Sequence, residues 1–172
     1  PFDVASGAGA IFGATGGVME AALRTAAETI LGTKLEKLEF EDVRGTEPIK
    51  RASYKLGDLT VRVAVTSGTA NAKKLLRAVQ DGTEQVDFIE VMACPGGCVN
   101  GGGQPVQDAT VRSTTDLKSL RAAVLYHDDD TSELRKSHEN PACIKVYEEF
   151  LEEPGSHIAH EILHTHYIKR GL

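Results

Sequence analysis

The chain has 172 residues, 41% of them hydrophobic and 26% charged, with a formal net charge of −6. That balance excludes wholesale disorder and sets one ordinary domain, or one with a small appendage, while the acidic surplus argues against nucleic acid or an anionic membrane surface as the main partner. No apolar run reaches the ~18 residues of a membrane span, no basic-then-apolar leader opens the chain, and three cysteines are too few and odd in number for a disulfide framework, which points to a reducing, cytoplasmic setting.

The chain opens on Pro1-Phe2-Asp3 and is at once dense in glycine, at Gly7, Gly9, Gly13, Gly16 and Gly17. Loops of that kind need scaffold on both sides, so the sequence reads as a piece of a longer protein. A helix is predicted from about Val18 to Leu31, with Val18, Ala21, Ala22 and Leu23 beginning a small apolar face and Gly32 as its stop. Leu35, Leu38 and Phe40 follow among charges, before a break at Gly45 to Pro48. Ile49 to Leu56 and Leu59 to Thr66 read as strands joined at Gly57-Asp58, because Val61, Val63 and Val65 alternate with Thr60, Arg62 and Ala64. A helix from Thr69 to about Asp81 carries Ala72, Leu75, Leu76 and Val79 on one stripe, and Val86 to Met92 is a further strand. Strand, helix, strand is a βαβ unit, so the last two strands are expected parallel. The loop Cys94 to Pro105 follows the carboxyl end of the last strand, where ligands gather in open α/β sheets.

The tail is different. A helix capped by Thr114 or Thr115 runs to about Tyr126, and Asp128-Asp129-Asp130 reads as a solvated acidic turn. Asn140-Pro141 is a cap followed by an N1 proline, opening a helix to about Leu151. Ser156 opens a last one to about Tyr167. The fold class is therefore α/β: a βαβ-containing segment over residues 1–112, then a helical segment over 113–172 whose faces must wrap onto another surface.

The densest chemistry lies in Met92-Ala93-Cys94-Pro95-Gly96-Gly97-Cys98-Val99-Asn100-Gly101-Gly102-Gly103-Gln104-Pro105. Thiolates bind soft metals, and an iron–sulfur cluster is bulky enough that glycine is needed for the backbone to come close and direct its N–H groups at the sulfurs. On spacing alone, a redox disulfide or a glycine turn with two incidental cysteines remains open. The whole string, however, closely resembles the third signature of the iron-only (FeFe) hydrogenases. Ile11-Phe12-Gly13-Ala14-Thr15-Gly16-Gly17-Val18-Met19-Glu20-Ala21-Ala22-Leu23-Arg24 resembles that family's glycine-rich loop and helix. Arg135 to Pro141, with His164-Thr165-His166-Tyr167, is similar to its small-subunit segment.

The resemblance implies the C-terminal part of the H-cluster (large-subunit) domain followed by the small-subunit segment. It also implies an H-cluster, a 4Fe-4S cubane joined through a cysteine sulfur to a di-iron azadithiolate centre with CO and cyanide, and the interconversion of protons and electrons with dihydrogen. By position, Cys94 matches a cubane ligand and Cys98 the cysteine bridging cubane to di-iron centre. Met92, Phe12 and Gly13 match residues packed against the di-iron site, and Val18 lies on its gas-access side. The family's other two cubane cysteines, its cyanide-binding lysine and its proton-relay cysteine belong to segments N-terminal to Phe2. Only half of the ligands are thus expected here, with no catalytic proton donor and no activity in the chain alone. Its partners would be the N-terminal remainder and, for electrons, ferredoxin or upstream iron–sulfur domains. The alternative is a non-catalytic hydrogenase-like iron–sulfur protein, an assembly factor or sensor.

Three other patterns are weaker. His160-Glu161-Ile162-Leu163-His164 is the H-E-x-x-H of zinc peptidases, but eight residues after His164 leave no room for the usual third ligand, so packing and hydrogen bonding against a neighbouring domain are expected of these rings. Gly7-Ala8-Gly9 lacks the spacing of a dinucleotide fingerprint. Cys143 is expected as a small buried residue.

Overall fold

The computed structural model describes residues 4–169. Its sheet has three strands, β1 (Ile49–Leu56), β2 (Leu59–Ser67) and β3 (Phe88–Met92), in the order β1-β2-β3. β1 and β2 form an antiparallel hairpin closed by the Leu56↔Leu59 pair, and β3 runs parallel to β2, as the sequence predicts. The hairpin closes at Gly57, whose φ of 62° is a left-handed conformation that glycine adopts without a Cβ penalty.

Seven α-helical stretches surround the sheet among the described residues: α1 (Gly7–Ala10), α2 (Gly17–Leu31), α3 (Thr69–Gln80), α4 (Ala109–Thr114), α5 (Leu117–Thr131), α6 (Pro141–Val146) and α7 (His157–Leu163). α2 ends where expected, at a left-handed Gly32 whose amide donates to the Glu28 carbonyl. Its Met19 and Leu23 bury against Val43, Val63 and Val65 to form the core, with Phe40 edge-on to Tyr54 at 5.0 Å. Ala72 and Leu75 are the buried residues of α3, the crossover between β2 and β3.

The tail departs from expectation in four places. The helix predicted from Thr114 or Thr115 is two, α4 and α5, with Asp116 rather than a threonine capping α5 through the Ser119 amide. α5 runs through the acidic triplet to Thr131, and Asp129 is buried rather than in a solvated turn. The cause is two arginines. Arg24 of α2 donates to both Asp129 oxygens at 2.7 Å, and Arg135 to one of them at 2.7 Å. α7 stops at Leu163, short of Tyr167. Cys143 is exposed, because α6 lies on the surface and presents it to a groove shared with Thr25, His138 and Tyr147. The Asn140 cap and Pro141 hold as read, Asn140 Oδ1 accepting from the Ala142 amide. The surface that the tail helices wrap onto is partly this chain's own start: Gly7 donates to the Leu134 carbonyl at 2.8 Å, and a Cβ there would overlap Asp129. Gly7 is glycine for that close approach, not for a phosphate.

Candidate functional site

β3 ends at Met92, whose carbonyl accepts from the Gly68 amide at 2.8 Å, and the chain then turns into the cysteine loop. Two positive-φ residues, Gly96 at 88° and Gly97 at 91°, let it fold back on itself. The Gly97 amide donates to the Cys94 carbonyl at 2.9 Å, and Gly101 donates to that of Cys98 at 3.0 Å, closing a 3-10 turn over Cys98–Asn100. Asn100 Nδ2 reaches the Pro95 carbonyl, and Val99 is the buried anchor of the turn. Both thiols are left exposed, and a Cβ on Gly101 would lie 3.7 Å from Cys94 Sγ. From α5, Arg121 donates to the carbonyls of Val99 and Pro105 at 3.0 Å each, stapling the loop to the tail.

The second glycine-rich turn lies directly against the first. Ala14 and Gly97 form an isolated antiparallel bridge, and the Thr15 amide donates to the Gly96 carbonyl at 3.1 Å. Glu90 ties the same turn to β3: its Oε1 accepts from the Gly16 amide and its Oε2 from the Met19 amide, each at 2.7 Å. Lys50 Nζ donates to the Thr15 and Gly45 carbonyls, both at 2.8 Å. Burial lowers the Lys50 ammonium to about 8 against the opposing charges of Glu90 and Glu47.

The sequence-predicted residues therefore fall on, or directly flank, two turns held together by main-chain contacts. Phe12 and Gly13 sit on the 3-10 turn Ile11–Gly13, and Val18 is at the start of α2. Cys94 and Cys98 are on the facing loop. Met92 is two residues beyond Glu90 on the same face of β3. Phe12 is 44% exposed. Glu90, Lys50 and Arg121 escaped sequence reading. Each makes at least one bond to a backbone group 22 or more residues away, which no local spacing announces.

Two other clusters can be set aside. Glu28, His138 and Glu139 bring three candidate donor atoms within 4.8 Å of one another. Lys136 Nζ already contacts Glu28 at 3.0 and 3.1 Å and Glu139 at 2.7 Å, so an ammonium supplies the cation there. His160 and His164 are exposed on α7 and its C-cap, their Nδ1 atoms 3.1 Å apart, and no third donor joins them in such a cluster among the described residues.

Comparison with known proteins supplies the family. The profile described as iron only hydrogenase large subunit, C-terminal domain, matches residues 1–102, and that of the iron hydrogenase small subunit matches residues 115–170. The chain is 50% identical over 170 residues to the NADP-reducing hydrogenase subunit HndD of Solidesulfovibrio fructosivorans, covering 99% of this chain and 28% of that protein. It is 26% identical over 153 residues to the cytosolic Fe-S cluster assembly factor narfl of Danio rerio, covering 89% of this chain and 36% of that one. The [FeFe]-hydrogenase HydA1 from Chlamydomonas reinhardtii matches its fold with a TM-score of 0.66 at 42% identity, over 91% of this chain and 45% of that one. The chain thus spans under a third of HndD and under half of HydA1. It belongs to the iron-only hydrogenase family, matching the C-terminal domain of that family's large subunit in its first part and the family's small subunit in its last.

Proposed function

We propose that this chain is the C-terminal part of the catalytic polypeptide of an FeFe hydrogenase, forming one half of the socket for the H-cluster in an enzyme that reversibly reduces protons to dihydrogen. The observation that carries this reading is the Ala14–Gly97 bridge: it sets the Phe12–Val18 turn against a glycine-dense loop with two exposed thiols. The donor set fits the group as half of it. A cubane takes four thiolates, and this chain offers Cys94 and Cys98 on one loop. Cys143 lines a different groove, with Thr25 and His138.

Cys94 would ligate the cubane and Cys98 would bridge it to the di-iron azadithiolate centre. Phe12, Gly13 and Met92 would wall that centre and its CO and cyanide ligands, with Val18 beside the gas path. The bound cluster supplies the electron and proton chemistry of hydrogen turnover. The chain's own residues hold it, direct loop amides at it and exclude water with apolar side chains. Residues 1–112 belong in this reading to the H-cluster domain and 113–172 to the small-subunit segment. The remaining ligands come from the N-terminal remainder, and electrons from ferredoxin or upstream iron–sulfur domains in the cytoplasm. The isolated chain is inactive.

The test is Cys94→Ser and Cys98→Ser in the full-length, cluster-loaded protein, read by iron content, electron paramagnetic resonance and hydrogen evolution from reduced viologen. Loss of iron and of turnover in both supports the assignment; wild-type metal content and turnover in either variant refutes it. The similarity to narfl favours a second reading, an iron–sulfur assembly factor that keeps cubane ligands without making hydrogen. A full-length wild-type protein that binds iron and evolves no hydrogen under these conditions supports that reading instead.

A further inference from the structure

Lys50, Val65 and Glu90 form one row across the sheet. Lys50 pairs with Val65 on the antiparallel side and Val65 with Glu90 on the parallel side, so all three side chains share the face that packs on α2. The middle residue belongs to the hydrophobic core, and the two ends are charged and each 6% exposed. Burying an ammonium and a carboxylate is costly unless both are fully engaged. Here both are engaged, and on the same turn: Glu90 receives the Gly16 and Met19 amides, and Lys50 holds the Thr15 carbonyl.

The N-cap of α2 is Gly16, which has no side chain to cap with, so Glu90 does that work from another element. Its charge also complements the positive end of the helix. The turn has little slack. A Cβ on Gly16 would overlap the Val43 carbonyl and one on Gly17 the Ile11 carbonyl, while Thr15 and Ala14 are paired to Gly96 and Gly97.

We infer that Lys50 and Glu90 are positioning residues: acting through Thr15, Gly16 and Met19, they fix the Phe12–Val18 turn against the Cys94–Cys98 loop and so set how Phe12 and Gly13 meet the cofactor. The inference rests on the function proposed above for its second half, the effect on the cofactor. Its first half, the fixing of the turn, is independent of it.

The experiment uses the full-length protein, first without its di-iron centre and then loaded. In the centre-free protein, Glu90→Gln and Lys50→Met accelerate amide exchange in peptides covering residues 11–20 about tenfold, while peptides covering residues 23–31 exchange as in wild type. Glu90→Asp, too short to reach both amides, gives the same pattern should the glutamine variant fail to fold. The double variant Glu90→Gln/Lys50→Met loses less than the sum of the singles, because neither buried charge is then left without its opposite. In the loaded protein, the infrared stretches of iron-bound CO and cyanide move in both single variants. Unchanged exchange over residues 11–20 in the foldable variants overturns the bracket. Faster exchange with unmoved infrared bands overturns its positioning of the cofactor. A wild-type protein that takes up iron and shows no CO or cyanide bands overturns the proposed function instead, and the exchange measurement still decides the bracket.

Discussion

Gly97 shows how far the site depends on a missing side chain. Its φ is 91°, and a Cβ would stand 2.7 Å from the Gly13 carbonyl oxygen and 2.8 Å from the Thr15 nitrogen. Those are backbone atoms, so no rotamer change relieves the overlap. Gly97→Ala must either separate the two glycine turns or strain the cysteine loop, at about 1–3 kcal/mol. In the full-length protein it is expected to cut iron content well below wild type. Gly102 is the contrast, because a Cβ there meets nothing within 4 Å in this chain. Gly102→Ala is therefore expected to leave exchange protection of residues 11–20 unchanged. Any fall in its iron content would locate the cluster or the preceding segment at that position. The cysteines themselves were legible because a thiol-and-glycine string is local. Their supports were not: Glu90 reads in sequence as one charged position in a short strand, and only the register beside Val65 turns it toward α2.

At the scale of elements, the hairpin, the βαβ unit and the glycine stop of α2 followed from alternation and turn chemistry, which act within a few residues. The joint between α2 and α5 did not. Arg24 is buried and uses all five of its N–H donors, on Leu38 and Arg135 carbonyls, on Glu20 and on both oxygens of Asp129. Asp129 lies 105 residues from Arg24 in sequence, and three consecutive aspartates look like a solvated turn until that partner is in place. Asp129→Asn would remove one of the two buried carboxylates on the guanidinium, leaving Glu20 as its opposite charge, and is expected to destabilise the full-length protein by about 1.5–3 kcal/mol, read as a lowered denaturation midpoint.

A second joint is pH-sensitive. Burial opposes ionisation of Glu28, yet the Leu35 amide, His138 and Lys136 hold its carboxyl down to about 2. A depressed folded-state value means stability that is present above the ordinary 4.5 and is lost as pH falls toward 2. Glu28→Gln should therefore be less stable than wild type at neutral pH by on the order of 1–2 kcal/mol, with the gap closing between about pH 4.5 and 2. A gap that stays constant over that range would show that Glu28 is not the titrating group.

For the whole molecule, apolar surface stays exposed along one edge of the sheet and on the turn that faces the cysteine loop. The outer edge of β3 has no partner among the described residues, and Phe88 and Val91 on that strand are 50% and 51% exposed. Phe12, on the turn bridged to the cysteine loop, is 44% exposed. An unpaired hydrophobic edge strand invites aggregation unless something covers it. Alternation marks the inward residues of each strand, but it carries no signal for which edge a further strand or segment would cover. The chain spans 28% of HndD, and the proposed function places the missing ligands in the preceding segment. Residues 1–172 expressed alone should accordingly bind an apolar dye, exchange the β3 amides rapidly and hold substoichiometric iron. If the segment that supplies the missing ligands in the proposed function also lies along β3, adding it should suppress the dye signal, protect residues 88–92 and raise iron uptake together. Iron uptake that recovers while residues 88–92 stay unprotected would separate the two, and would mean that the cluster closes over the cysteine loop without the sheet being extended.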